Sequence, residues 1–332
     1  MRIAFWNRYP ELSTDNYCFT HRDAPIGDDL LLPFVHLAEA ARAHGHECVT
    51  LDLVPRRDSD DGPRSRFEGL DAIVFIDAPD TRIPMVRAAL ASGLPLYLIT
   101  FENALILPEN WVGHERFKRV FTWHDGLVAS GGRYVKLNYA QEFPQELPRT
   151  PKRKLCAMIA SNKQSAHPDS LYPRRVAAVR WFERWHPFDF DLYGYGWADF
   201  PSWRGPVRSK REVLQHYSFS ICFENAEAPG YITEKIFDSM IAGCVPVYLG
   251  APNVADHLGT HDCFIDGHLA DPKYGGYGAL YDLLTSINPV GYAARRHATE
   301  HFFRSPQARP FTTQAFAKTI LDTLEQDLGV LR

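Results

Sequence analysis

Apolar positions along this chain come in short blocks, separated by longer stretches in which they recur every three or four residues. Blocks of roughly four to eight apolar residues suit buried strands, and the three-to-four spacing suits amphipathic helices. RIAFW (2–6), the amphipathic stretch from Asp28 to His44 and ECVTLDLV (47–54) therefore predict a strand-helix-strand opening. Asp28 and Asp29 suit the start of that helix. Phe34, Leu37, Ala38 and Ala41 give its apolar stripe, and Gly45 its stop. DAIVFID (71–77), LPLYLIT (94–100) and RVFTWH (119–124) read as further buried parallel strands, with a helix over Thr81 to Ala91.

Between Tyr139 and Lys154 the pattern lapses into a run rich in proline and charge, the best linker in the chain. The second half restarts with strands at 154–161 and 189–194 around a helix from Pro173 to about Trp185. A block at 219–250 follows, then DCFIDG (262–267), a helix around Tyr277 to Ser286 and a last helix from about Thr312 to Leu328. The expected fold class is α/β, with two Rossmann-like lobes, a cleft between them and a closing C-terminal helix. The expected divisions are an N-terminal lobe at 1–145, a C-terminal lobe at 146–310, and a helix at 311–332 that packs back on the first lobe.

Length agrees with that division, since 332 residues are too many for one ordinary core. The formal net charge of −4 supplies no basic field for nucleic acid or an anionic bilayer, so an anionic ligand needs local cations. Six cysteines, Cys18, Cys48, Cys156, Cys222, Cys244 and Cys263, contain no CxxC pair and read as buried thiols of a reducing compartment. No stretch approaches the roughly 18 apolar residues of a membrane span. These features predict a cytoplasmic protein, free or weakly peripheral at the inner face of a membrane, without a firm anchor. They do not set its oligomeric state.

The block at 219–250 carries the chemistry. SFSICFE is a strand that ends at a loop containing Pro229 and Gly230, and Thr233 can cap the helix that follows. Ile236, Phe237, Met240 and Ile241 form that helix's buried face, Gly243 ends it, and VPVYLG is the next strand. A helix start at the carboxyl end of a strand offers free N–H groups and partial positive charge, which suit a diphosphate. Lys235 adds a full charge. Glu234 can accept hydrogen bonds from a sugar diol. Spacing alone is also satisfied by an ordinary capped turn with a solvated Glu-Lys pair.

FENxxxxGYxTEKxxDxxxxGxVPVYxG resembles the signature of glycosyltransferase family 10, the α-1,3/1,4-fucosyltransferases. MIASN (158–162), the helix led by Arg175, FDLYGYG (190–196) and RPFTTQAFAKTILDTL (309–324) resemble further parts of that family. The resemblance implies the GT-B fold and a C-terminal lobe that binds GDP-fucose. It places Tyr231, Glu234 and Lys235 on the nucleotide, and Asn225, with neighbouring Glu224, Ser161 and Asn162, near the sugar or diphosphate. It also puts Arg175 on the diphosphate, with Arg174 as the alternative clamp. The implied reaction moves L-fucose with inversion from GDP-β-L-fucose to a glycan hydroxyl, with no cofactor or metal. Surface polysaccharide or lipopolysaccharide synthesis is the expected setting. A transferase for another nucleotide sugar and a non-catalytic sugar-binding protein are the alternatives.

Inversion by single displacement needs one base for the acceptor hydroxyl, expected on the N-terminal lobe. Glu102, just past the strand 94–100, is the candidate; Asp77 is second, with Glu109 and Glu115 behind.

Other patterns point elsewhere. Asp58-Ser59-Asp60 and Asp189-Phe190-Asp191 fit the acidic pair of metal-dependent transferases but read as a solvated loop and a strand entry. HATEH (297–301) fits an inverted zinc-protease pattern but reads as accidental, with Glu325 the only later glutamate for a third ligand. GYGW (194–197) lacks the third glycine of a dinucleotide fingerprint. His114 and His124 have no metal-ligand spacing and read as structural.

Overall fold

In the computed structural model, residues 1–12, 14–24, 27–54 and 67–330 are described. They form two compact units. Met1–Ala24, Asp29–Gln141 and Pro310–Arg332 make the first; Glu142–Arg309 with the short stretch Pro25–Asp28 makes the second.

The first unit is built on a parallel sheet of β1 (Arg2–Asn7), β2 (Glu47–Thr50), β3 (Ala72–Ile76), β4 (Leu96–Thr100), β5 (Arg119–Thr122) and β6 (Tyr134–Lys136), in the order β2-β1-β3-β4-β5-β6. Successive residues of β1 enter opposite cores. Ile3 and Phe5 join Phe34, Leu37 and Ala41 of the helix Leu32–Ala43 and Phe316, Ile320 and Leu324 of the helix Thr313–Asp327. Ala4 and Trp6 join Phe67, Val86 and Phe117 on the other side. Burial on both faces explains why these strands are unbroken apolar runs and not alternating ones.

The second unit holds β7 (Lys154–Ile159), β8 (Phe190–Tyr193), β9 (Tyr217–Phe223), β10 (Val245–Leu249) and β11 (Ile265–Asp266), again all parallel, in the order β11-β10-β9-β7-β8. Both sheets follow one rule: the first strand pairs with the second on one side and with the third on the other. The strand order therefore reverses beside β1 and beside β7. In open α/β sheets that reversal leaves a crevice at the carboxyl ends of the strands, where ligands bind.

Several element boundaries differ from the sequence expectation. The first long helix begins at Leu32, not Asp28, with Pro33 in its first turn, where a missing N–H costs nothing. Asp28 instead accepts hydrogen bonds from Ser209 and the Arg211 N–H, and Asp29 adopts a left-handed backbone. The strand expected over 47–54 stops at Thr50, whose backbone and hydroxyl are tied to Asn16, and continues as a 3-10 turn. The block 262–267 yields only a two-residue strand. A sixteen-residue helix, Pro289–Arg304, was not anticipated; its mean pattern is polar and it buries only Thr299 and Phe302. All six cysteines are free and buried. No helix among the described residues is long and apolar enough to cross a membrane.

Candidate functional site

The carboxyl ends of β7 and β9 flank the strand reversal of the second unit, and they deliver Ser161 and Asn162 from one side and Glu224 and Asn225 from the other. Asn162 is held by two bonds to the GYGW turn, its N–H to Tyr195 O and its side-chain amide to Gly196 O. Trp197 donates from its indole to Ala160 O at 2.7 Å. Gly194 sits at φ +114, and a Cβ there would lie 2.1 Å from Ala160 O. That glycine serves close approach of two strand ends and no dinucleotide.

Glu224 is wholly buried and organises the next helix start. Its carboxylate accepts the Thr233 N–H at 2.8 Å, the Thr233 hydroxyl, and the Lys235 ammonium at 3.2 Å. Thr233 in turn caps the helix Glu234–Ile241 by accepting from the Lys235 N–H. The opposing surface of Glu224 abuts Gly250, where a Cβ would meet Glu224 Cγ at 2.4 Å. A strand end, a cap and a glycine thus fix one carboxylate.

Arg175 lies on the helix Tyr172–Trp185 and is buried. Its guanidinium donates twice to Phe223 O, at 3.1 and 2.7 Å, and once to Asn225 Oδ1 at 2.9 Å. Asn225 passes the contact to the Tyr231 hydroxyl at 3.4 Å. Arg174, the neighbouring candidate, pairs instead with Asp271. Of the two arginines, Arg175 joins the cluster at the end of β9.

Lys210 also joins it, and sequence reading missed this residue. It stands at the start of a short helix, Lys210–Leu214, whose cap is Ser209 accepting from the Glu212 N–H. The S-x-x-E spacing of a capping box was the available signal. Lys210 Nζ lies 2.9 Å from Asp238 Oδ2 and 3.3 Å from Glu234 Oε1, while Lys235 Nζ lies 3.4 Å from the same Glu234 oxygen. Ala160, Lys210, Lys235 and Asp238 line a cavity of about 20 Å³, room for one water.

The cluster balances three carboxylates, Glu224, Glu234 and Asp238, against three cations, Arg175, Lys210 and Lys235. Burial alone would raise the Glu234 pKa, but Lys235 and Lys210 outweigh it and hold the group well below the usual carboxylate range. Burial wins at Asp238, whose pKa is raised despite Lys210. Burial likewise opposes the charge of Lys235, yet Glu224 and Glu234 push its pKa up. A charged Lys235 beside an acceptor Glu234, at a helix start, can bind a phosphate and a hydroxyl pair side by side.

Residues 149–271, which contain this entire cluster, match the family described as glycosyltransferase family 10 (fucosyltransferase), C-terminal. Over this segment the chain is similar to glycosyltransferase family 10. Alpha-(1,3)-fucosyltransferase 7 of Bos taurus is 30% identical to the chain over 238 residues, covering 69% of the chain and 63% of that protein. The alpha-(1,3)-fucosyltransferase FucT of Helicobacter pylori is 47% identical over 49 residues, 15% of the chain and 10% of that protein. The chain thus spans less than two thirds of the length of these relatives. A crystal structure of an alpha1,3-fucosyltransferase with GDP-fucose superposes with a TM-score of 0.55 at 14% identity, covering 98% of the chain and 91% of that structure. The fold is GT-B, with one parallel sheet in each unit.

In the first unit, Glu102 follows β4 and accepts a hydrogen bond from the Tyr9 hydroxyl at 3.0 Å. Tyr9 follows β1, so this pair lies at the strand reversal of its own sheet. Asp77, the second base candidate, is buried with φ +59. Its Oδ1 accepts from the N–H groups of Phe101 and Glu102 and from Asn110 Nδ2. Burial raises its pKa against those bonds. Asp77 holds the backbone that carries Glu102.

The remaining patterns resolve into structural roles. Asp58 and Asp60 lie outside the described residues. Asp189 accepts from Tyr281, whereas Asp191 pairs with Lys154 and Arg204, so this acidic pair does not act on one partner. His114 bonds Asn110 O and Tyr134, and His124 caps the helix Asp125–Ala129. His297 and His301 lie on the exposed side of the helix Pro289–Arg304, and Glu325 pairs with His44 and His46.

Proposed function

We propose that the chain is an inverting fucosyltransferase that moves L-fucose from GDP-β-L-fucose to a hydroxyl of a glycan, forming an α-1,3/1,4-type linkage. The observation that carries this reading is the Thr233-Glu234-Lys235 helix start pinned on buried Glu224, at the strand reversal and inside the family 10 segment. Lys235 takes a phosphate oxygen and Glu234 the ribose diol, while Arg175 and Asn225 border the diphosphate and Tyr231 stands behind Asn225. Ser161 and Asn162 form the opposite wall. The second unit is the donor lobe and the first the acceptor lobe.

Glu102 removes the acceptor's proton as its oxygen bonds to the fucosyl anomeric carbon. The bond from that carbon to the phosphate oxygen breaks, and GDP leaves with the electron pair. Local cations neutralise the leaving group, so transfer proceeds without a metal. Surface polysaccharide or lipopolysaccharide synthesis is the setting that this activity fits.

A panel of GDP-, UDP- and dTDP-sugars offered with lactose-type and lipopolysaccharide-type acceptors in EDTA tests donor, acceptor and metal together. Turnover confined to GDP-fucose is the expected result. Turnover with another donor points to a different transferase, and donor affinity without turnover points to a sugar-binding protein.

A further inference from the structure

Away from the donor cluster, two imidazoles and a carboxylate converge in the first unit. His44 follows the helix Leu32–Ala43, Gly45 turns the chain at φ +75, and His46 leads into β2. His44 Nδ1 lies 2.8 Å and His46 Nε2 2.9 Å from the same oxygen, Oε1 of Glu325, in the last turns of the helix Thr313–Asp327. All three ligand atoms lie within 4.8 Å of one another. Among the described residues, no other group of three or more histidine, cysteine or acidic side chains is gathered this closely.

We propose that His44, His46 and Glu325 bind a zinc ion that staples the C-terminal helix to the edge of the first sheet. Zinc takes imidazole nitrogen at about 2.0–2.1 Å and carboxylate oxygen at about 2.0–2.2 Å, which sets tetrahedral ligands about 3.3 Å apart. The two nitrogen-to-oxygen spacings need to open by about half an ångström, and the two ring nitrogens, which lie within 4.8 Å of each other, need to settle at that same separation. Two imidazoles with one carboxylate suit zinc better than magnesium or calcium, which favour oxygen-only shells. Glu325 and His46 are buried, while His44 is half exposed and leaves the fourth position open to water. The ion's role is structural, and it takes no part in sugar transfer.

The competing zinc site is the exposed pair His297 and His301, one helical turn apart. Full-length protein freed of metal with a chelator is titrated with Zn²⁺ by calorimetry and thermal melting, with Co²⁺ absorption reporting coordination. About one ion per chain is expected, with a Tm that rises with zinc. His44→Gln should weaken uptake at least tenfold, while His301→Gln leaves it unchanged. Because His44 is half exposed, its variant tests the site even if Glu325→Gln fails to fold. Absence of uptake by the wild type, equal uptake by His44→Gln, or loss through His301→Gln overturns the proposal.

Discussion

Lys210 Nζ stands 2.9 Å from Asp238 Oδ2, and this pair closes the charge balance under the helix start that carries Glu234 and Lys235. Asp238 is almost wholly buried, so it cannot turn to water when its partner is removed. Lys210→Met should therefore destabilise the protein by about 3–5 kcal/mol, the usual effect of breaking a buried ion pair from one side. Asp238→Asn in the same chain should restore most of that loss. Denaturant unfolding of the single and double variants decides it; equal stability of the two would mean that the pair is not coupled.

Lys235 is the cation expected to meet the diphosphate, yet it also contacts Glu224 and Thr233. A purely structural lysine and a phosphate-binding one differ in what their loss does to each ligand. Lys235→Ala should weaken GDP and GDP-fucose binding by about 10- to 100-fold, the scale of a charge-assisted hydrogen bond. Guanosine, which lacks the diphosphate, should bind the variant and the wild type alike. A uniform loss across all three ligands would assign Lys235 to holding the fold.

The strand-loop-helix-strand segment at 219–250 was readable because one local pattern, strand, loop, cap and strand, holds nearly all of it, and Thr233 caps where its residue type demands. Lys210 was not readable, since its pairing with Asp238 joins residues 28 positions apart on different elements. Choosing between Arg174 and Arg175 likewise needs three-dimensional information, because adjacent residues on a helix point about 100° apart. The start of the first long helix was misplaced because Asp28 looked like a cap but is used by Ser209 and Arg211, far along the chain. The helix Pro289–Arg304 escaped because it buries too little to show an apolar stripe. Local chemistry is legible in sequence, whereas long-range partners that redirect a side chain are not.

Glu102 takes the Tyr9 hydroxyl as a donor, and Asp77 holds the Glu102 N–H. Glu102 is the proposed base, so its amide should keep GDP-fucose affinity and lose at least about 100-fold in kcat. Asp77→Asn retains a carbonyl acceptor for the same N–H groups and should lose less. Steady-state kinetics with a parallel measurement of donor binding separates the two. If Asp77→Asn were the more damaging while Glu102→Gln turned over normally, the base assignment would move.

Asp191 gives a prediction about acid. Burial would raise its pKa, but bonds from Lys154, Tyr217 and Arg204 outweigh burial and hold it below the usual carboxylate value. A carboxylate whose folded pKa is depressed contributes stability above its unfolded pKa, and that contribution is lost as pH falls through the folded value. Asp77 and Asp238 have raised values and work in the opposite direction, so a whole-protein acid curve mixes the signs. Comparing wild type with Asp191→Asn removes that ambiguity, because the other groups are common to both. The variant should be the less stable at neutral pH, and the gap should narrow between about pH 5 and pH 3 as the wild-type carboxylate protonates. Thermal melts across that range provide the measurement, and a gap that stayed constant with pH would show that the ionised form of Asp191 contributes nothing to folding.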